Sequence, residues 1–466
     1  MTTKTDRGPE PGPQTGDLLQ LTVGEVVHGG WCVCRENDTG LVVFVRHALP
    51  GEIVRAVVTQ ATARFARADA VEVLAASPDR VTPPCPYAGP GRCGGCDWQH
   101  ASRPAQRAFK AAVIRQQLNR IAGIEREVVV EALDGDEEGL DWRTVVSFAV
   151  NDRGAAGLRK HRSHEIIEVD RCAIAHPLVT EVGVTGQRWP AGSSVEVCVS
   201  PHSGETGVLV AGAARADRGT PAADTLPDVA ADSLLVARRA TPPAGSGGGL
   251  GRRSRAGGRP GGSGGPAPVR GHGYLMQHAA GRDWRVTIGG FWQVHPGAAD
   301  ALAADVLVAL EPSAGETALD LYCGAGLFAG VLAQAVGPGG GVVAIEQDQA
   351  AVRDARHNLR EWPWARVHRG DVAEVLRRIG TGGASLVVLD PPRTGVARPV
   401  LDLLCAGTSP GADAPRRIAY VSCDPATLAR DLKLLTDGGW ELGGLRGYDA
   451  FPMTHHVECL ATLTRR

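Results

Sequence analysis

A chain of 466 residues with 43% hydrophobic content has enough apolar material for roughly two to four packed domains, which excludes a fibrous or wholly disordered protein. A formal charge of only −2 excludes a globally polycationic nucleic-acid binder, so any polyanion site has to be a local patch. No apolar run approaches the ~20 residues of a bilayer span and the N-terminus has no apolar signal region, so a cytoplasmic protein without membrane contact is expected. The eleven cysteines, an odd number, then point to reduced thiols, a metal site or catalysis rather than a disulfide frame.

Residues 1–15 carry Pro, Gly, Thr and charge without periodicity and read as a disordered tail. Over 16–77, short apolar runs at Leu19–Val23, Gly40–Val45, Glu52–Val58 and Ala70–Leu74 alternate with Gly, Asn-Asp and Pro-Gly turns. That spacing predicts a small β-barrel of the OB-like kind. A central domain over 78–285 begins with a turn-rich cysteine segment, followed by a helix over Arg103–Arg120. This helix carries Arg103, Arg107, Lys110, Arg115 and Arg120 with no acidic residue, beside an apolar stripe of Phe109, Val113, Ile114 and Leu118. It therefore reads as a local basic face, either simply solvated or turned to phosphates.

From Trp142 to Val210, strand-like runs such as Val145–Val150 and Glu165–Val169 predict an antiparallel α+β module. A Gly-, Ser-, Pro- and Arg-rich stretch near 240–270 cannot bury enough apolar surface to order itself and reads as a flexible insertion. Over 286–466 the apolar strands Ala318–Leu321, Gly341–Ile345, Leu386–Leu389 and Ile418–Val421 alternate with helical patterns. The alternation predicts a doubly wound, Rossmann-like parallel sheet, so the fold class is α/β overall.

The chemistry gathers where those strands end. Asp320-Leu-Tyr-Cys-Gly-Ala-Gly326 follows a strand and precedes a helix, which lets backbone approach a ligand closely. Glu346 ends the next strand roughly 20 residues on, where an acidic side chain holds a ribose hydroxyl pair, and Asp371 and Asp390 end later strands. Gly-x-Gly without the third glycine, joined to these carboxylates, favours S-adenosylmethionine over a dinucleotide. Asp390-Pro-Pro-Arg393 makes a stiff turn behind its carboxylate.

Cys423, between the run Ile418–Ser422 and Asp424-Pro425, stands where an exposed nucleophile belongs. Cys423 and Glu458 together meet a specific demand. C5 of uracil becomes nucleophilic only after a thiolate adds at C6, and a carboxylate must later remove the C5 proton. Cys85, Cys93 and Cys96 form a Cys-x7-Cys-x2-Cys cluster with Cys172 as a fourth ligand. Four thiolates suit tetrahedral zinc or a cubane iron–sulfur cluster equally.

Phe291-Trp-Gln-Val294, Asp320–Gly326, Asp390–Arg393, Ser422-Cys-Asp-Pro425 and His456-Val-Glu458 occur in that order, and this set resembles the RNA uracil-C5 methyltransferase family that includes the TrmA-type and RumA-type enzymes. The resemblance runs from about Asp17 to the C-terminus, outside the Gly-rich insertion. It implies Cys423 as nucleophile and Glu458 as base, with Gln293, Tyr322, Glu346, Asp371 and Asp390 on S-adenosylmethionine. It further implies a TRAM-type RNA-binding barrel, and Cys85, Cys93, Cys96 and Cys172 as ligands of a [4Fe–4S] cluster, with zinc as the alternative. Family members usually carry Asn where this chain has His295 and often a polar residue where it has Leu327, so both stay outside the cofactor site. A monomer acting on RNA is expected, with 23S rRNA the first substrate and the T-loop of tRNA the alternative. Phe291 is the aromatic platform for a flipped base, and Arg159, Lys160 and Arg162 are further phosphate contacts.

The competing chemistry is exocyclic-amine methylation, which wants an aromatic residue where this chain has Arg393. The competing class is an inactive, redox-sensing RNA-binding protein, against which Cys423 and Glu458 both speak.

Overall fold

The computed structural model describes residues 12–37, 39–135, 138–212, 222–237, 266–406 and 414–465. Residues 1–11 of the N-terminal tail and 238–265 of the Gly-rich stretch lie outside the described residues.

The first six strands are β1 (Leu18–Thr22), β2 (Val26–Val27), β3 (Trp31–Arg35), β4 (Val42–Arg46), β5 (Ile53–Ala61) and β6 (Phe65–Ala75), in the order β1-β5-β6-β4-β3-β2. Alternation builds this small barrel: Val43, Val45, Ala66, Ala68 and Ala70 point into its core, while Phe44, Phe65 and Arg67 face outward. Strand β3 was not anticipated, because Trp31-Cys-Val-Cys-Arg35 lacks a clean period-2 pattern; its Cys32 and Cys34 both serve as small core residues.

Helix α1 (Arg103–Gln117) is capped by Ser102, whose side chain accepts from the Ala105 N–H, with Pro104 in the first turn. Its apolar stripe is split. Val113 and Phe109 pack into the barrel core, whereas Ala111, Ile114 and Leu118 join the core beneath the C-terminal sheet. The helix is therefore a wedge between two units, and not all of its cations face solvent. Lys110 is fully buried and pairs with the fully buried Asp449, which Arg103 also contacts at 3.1 Å. This corrects the expectation of a phosphate-facing helix for its first half, since Arg103 and Lys110 both turn inward onto one carboxylate, whereas Arg115 and Arg120 stay exposed and Arg115 pairs with Glu127.

Next come β7 (Val130–Glu131), β8 (Val145–Val150), β9 (Ala156–Arg159), β10 (Ile166–Glu168), α2 (Pro177–Glu181), β11 (Ser194–Val199), β12 (Thr206–Ala211), β13 (Ser233–Ala237) and β14 (Ala267–Arg270). All of these strands except β7 form one sheet, ordered β10-β9-β8-β11-β12-β13-β14 and antiparallel apart from the β12–β13 pair. The end of the Gly-rich stretch thus supplies an edge strand. A hairpin of β15 (Tyr274–Ala279) and β16 (Arg282–Thr287) leads onward.

The C-terminal unit contains α3 (Ala298–Leu310), β17 (Thr317–Leu321), α4 (Leu327–Val336), β18 (Gly341–Glu346), α5 (Gln349–Asn358), β19 (Ala365–Arg369), α6 (Val372–Ile379), β20 (Leu386–Leu389), α7 (Arg398–Ala406), β21 (Arg417–Ser422), α8 (Pro425–Asp437), β22 (Trp440–Tyr448) and β23 (Glu458–Arg465). The sheet order is β19-β18-β17-β20-β21-β23-β22-β7, parallel from β19 to β21. Leu319, Val387, Ile418 and Tyr420 face one buried layer, and Ala318, Leu386, Val388, Ala419 and Val421 the other. Both faces are covered, as expected of a doubly wound sheet, and all five parallel strands point their carboxyl ends to one edge.

Removing one partner of a buried ion pair leaves an uncompensated charge in low dielectric. Asp449→Asn should therefore destabilise the protein by ~3–5 kcal/mol, seen as a lower urea midpoint. Lys110→Met, which leaves Asp449 facing Arg103, should cost clearly less.

Candidate active site

Strand order brings the predicted residues to one edge. Tyr322, Glu346, Asp371, Asp390 and Cys423 follow β17, end β18, follow β19, follow β20 and follow β21 in turn. Tyr322 has φ +70° and Gly324 and Gly326 have φ +54° and +92°, so the turn after β17 curls tightly before α4 begins. Glu346 is buried, and its carboxylate accepts from the Gly324 N–H at 3.0 Å and from the N–H groups of Gln347 and Asp348. This fixes one carboxylate against the glycine turn, an arrangement suited to a ribose with its hydroxyl pair. Asp371 caps α6 by accepting from the Glu374 N–H at 3.1 Å, and Gln293 is buried in the loop before α3. Burial, followed by the nearby charges of Asp371 and Asp431, pushes the Tyr322 phenol up to about 12. His295 stacks on Trp142 with ring centroids 5.8 Å apart and is held neutral by burial, with a pKa of about 4, apart from these groups.

Cys423 lies at the elbow between β21 and α8, and Asp424 caps that helix by accepting from the Ala426 and Thr427 N–H groups at 3.1 and 2.9 Å. The antiparallel β21–β23 ladder pairs Ser422 with Cys459, so the next step of the register sets Cys423 opposite the buried Glu458. Burial pushes the Cys423 thiol up to about 12, Glu458 and Asp390 add to the shift, and Arg393 opposes it. The thiol is therefore protonated in the ligand-free protein. Desolvation among carboxylates outweighs the single guanidinium.

Sequence reasoning left three neighbours out. Arg393 contacts the His456 ring at 3.2 Å, and its carbonyl accepts from Thr427 Oγ1, which locks the Asp390–Arg393 turn to the Cys423 elbow. The segment before Glu458 is held by the cysteine-rich stretch: Asp97 accepts from the His455 ring at 2.6 Å, and the Asp97 and Trp98 N–H groups donate to the Met453 carbonyl. From the barrel, His28 lies 3.6 Å from Asp424. Only Arg393 had a local signal, as the residue closing the Asp-Pro-Pro turn; His28 is more than 390 positions from the elbow. Phe291 is exposed, as a stacking platform requires.

The thiols of Cys85, Cys93, Cys96 and Cys172 are all free and lie close enough to perturb one another's ionisation. Burial first, then neighbouring thiols, pushes Cys93 up to about 11. Among the described residues, no three of these sulfurs lie within 4.8 Å of one another. A tetrahedral zinc site with Zn–S near 2.3 Å would need sulfurs about 3.8 Å apart. Four thiols gathered in this way can hold either tetrahedral zinc or a cubane cluster.

Three comparisons bear on this geometry. An uncharacterized RNA methyltransferase of Streptomyces avermitilis is 46% identical over 96% of this chain and 98% of its own length. One from Streptomyces coelicolor is 45% identical over 97% and 94%. The family model described as tRNA (Uracil-5-)-methyltransferase matches residues 380–466, which include Asp390, Cys423 and Glu458.

The chain belongs to the RNA uracil-C5 methyltransferase family.

Within this family of enzymes, the TRAM domain model covers residues 14–71, which are the barrel. The model of protein-L-isoaspartate(D-aspartate) O-methyltransferase covers 293–375, the stretch from Gln293 to α6. A solved tRNA (uracil-54, C5)-methyltransferase from Pyrococcus abyssi, in complex with S-adenosyl-L-homocysteine, shares the fold. It matches with a TM-score of 0.65 at 22% identity, covering 96% of this chain and all of that one. No described helix is long and apolar enough to cross a membrane.

A thiol with a pKa of about 12 holds on the order of a thousandfold less thiolate than an ordinary one at neutral pH. Iodoacetamide should therefore alkylate Cys423 slowly at pH 7.5, faster as pH rises above 9, and faster in Glu458→Gln at any fixed pH, by peptide mass spectrometry.

Proposed function

We propose that this protein methylates C5 of a uridine in structured RNA, with Cys423 as nucleophile and Glu458 as base. The observation that carries the reading is the facing pair Cys423 and Glu458 at the carboxyl edge of the parallel sheet, beside the turn that holds Glu346. S-adenosylmethionine supplies an electrophilic methyl group when bound, and Gln293, Tyr322, Glu346, Asp371 and Asp390 are the residues that would hold it. Cys423 Sγ gives its proton to water and adds to uracil C6, which moves electron density to C5 and leaves Glu458 ionised for the later step. Once C5 is methylated, Glu458 takes the C5 proton, the C5–C6 double bond re-forms and the sulfur leaves with its electron pair. Arg393 is the cation able to offset charge at this thiol, and a bound uracil that displaces solvent would strengthen that contact.

Cys85, Cys93, Cys96 and Cys172 hold a [4Fe–4S] cluster in this reading, and the resemblance to the RumA-type branch is what favours iron over zinc. The cluster takes no part in the steps above. Large-subunit rRNA is the first candidate substrate. The T-loop of tRNA is the second reading, favoured by the description of the family model that covers the catalytic segment.

Mass-spectrometric mapping of 5-methyluridine, after separate incubation with unmodified 23S rRNA and tRNA, tests the reaction and chooses the substrate. Cys423→Ala should lower methyl transfer by at least about a thousandfold while S-adenosylmethionine binding persists. Glu458→Gln should accumulate a covalent RNA–protein band on a denaturing gel, and its absence would count against the base. Anaerobically purified protein should contain about four irons per chain; zinc in their place would overturn the cluster assignment.

A further inference from the structure

The barrel carries an aromatic and cationic face that the reaction above does not use. Arg67 stands on the outward side of β6 and the buried Arg46 on the same side of β4, where register pairs Phe44 with Arg67 and Arg46 with Asp69. Trp31, at the start of β3, is only 8% exposed. Three guanidinium groups gather round its ring: Arg162 at 5.5 Å, Arg67 at 5.7 Å and Arg46 at 5.9 Å from the centroid. Arg67 also lies 4.9 Å from the Phe65 ring. Arg162 is not a barrel residue. It sits at the tip of the β9–β10 hairpin with φ +51°, a conformation that costs energy for a side chain of this kind.

That hairpin is placed by the cysteine segment. Cys93 bridges to Lys160, the Gly94 N–H donates to the Arg159 carbonyl at 3.0 Å, and a Cβ on Gly94 would come within 2.5 Å of His161 Cα. The His161 ring packs edge-on against Trp31 at 5.9 Å. Arg46 spends its charge on Asp97 at 3.3 Å. Among the described residues no carboxylate pairs with Arg67 or Arg162, and Arg67 donates only to the neutral Gln60 side chain. Burial, and then Arg67 and Arg46, hold the Arg162 pKa below its ordinary value. Two such guanidiniums around one ring repel unless an anion lies between them.

Resting on the functional reading above, we infer that Arg67 and Arg162, held over the buried Trp31 ring, form a phosphodiester seat for the RNA strand flanking the target uridine, built jointly by the barrel and the cysteine-anchored hairpin. The seat is continuous with the catalytic elbow: Arg46 meets Asp97, Asp97 meets His455, and the next residue, His456, meets Arg393 beside Cys423. Arginine forks match phosphate oxygens, and the partly exposed Phe65 ring beside Arg67 suits a base. This also gives the cysteine cluster a task, which is to fix the hairpin that presents Arg162.

The test is the salt dependence of binding a fluorescein-labelled oligouridine to the full-length protein, by anisotropy. Each lost single-strand phosphate contact lowers the slope of log K against log salt by about 0.7. The Arg67→Gln/Arg162→Gln double variant should lower it by about 1.4 and weaken binding about 25-fold near 0.1 M salt. Arg153→Gln, an exposed arginine paired with Glu168 on the same sheet, should leave it unchanged. Equal slopes for wild type and double variant overturn the seat. On the RNA that accepts methyl groups, KM should rise while kcat at saturating RNA stays constant, and an unchanged KM would equally overturn it. A wild type that methylates no RNA refutes the functional reading instead, because the binding slopes are read without turnover.

Discussion

The buried contact between the Lys110 ammonium and the Asp449 carboxylate is the constraint from which the active-site geometry follows. Asp449 opens the segment that ends at Glu458, and Lys110 also donates to the Phe451 carbonyl at 2.9 Å. One turn earlier on the same helix, Gln106 accepts from the Met453 N–H at 2.9 Å. Helix α1 thereby holds the backbone at Asp449, Phe451 and Met453, including a non-glycine residue at φ +64°. A loop with these anchors delivers Glu458 to the same place each time. Burying a charge is costly unless it is paired and hydrogen-bonded, and both conditions are met here.

The electrostatics of the elbow contain a conflict that belongs to the proposed chemistry. A carboxylate close enough to remove a proton from C5 is also close enough to oppose thiolate formation at Cys423. In the ligand-free site that opposition joins burial and keeps the thiol protonated. A protonated thiol is poorly reactive toward stray electrophiles and oxidants, because the thiolate is the reactive form. Activation then has to coincide with substrate entry, when Arg393 and the base reshape the local field. The turn that carries Arg393 is tied to the elbow through Thr427, so the cation cannot drift from its task.

The barrel and the cysteine quartet are joined to that elbow rather than appended to it. Gly30 of the β2–β3 turn lies where a Cβ would meet His455 and Asp97 at about 3 Å, so a glycine with φ +79° is needed for the barrel to seat. Arg46 and His28 continue the contact on either side. The cysteine segment supplies Asp97 and Trp98 to the loop before Glu458 and Gly94 to the hairpin bearing Arg162. RNA held along the barrel would in this way be registered directly against the catalytic segment.

Much of this was legible in the amino-acid order, for a local reason. A parallel strand, its glycine or Asp-Pro turn and the following helix are consecutive in sequence, so the elbow at Cys423, the turn at Asp320–Gly326 and the carboxylate at Glu346 could be read off directly. Strand β3 escaped because its two buried cysteines blur the alternation, and the Gly-rich stretch concealed the edge strand β14 because composition reports only the average. What only the tertiary structure decided involves groups far apart in the chain. Lys110 and Arg103 of α1 look solvent-facing until Asp449, 339 residues from Lys110, is brought against them. Arg67 and Arg162 become one site only when the cysteine segment fixes a hairpin against the barrel. The sequence alone determined which groups the protein has and which sheet edge they occupy. Their protonation, pairing and mutual reach were decided by packing, because desolvation and Coulomb interaction depend on distance in space and not on position along the chain.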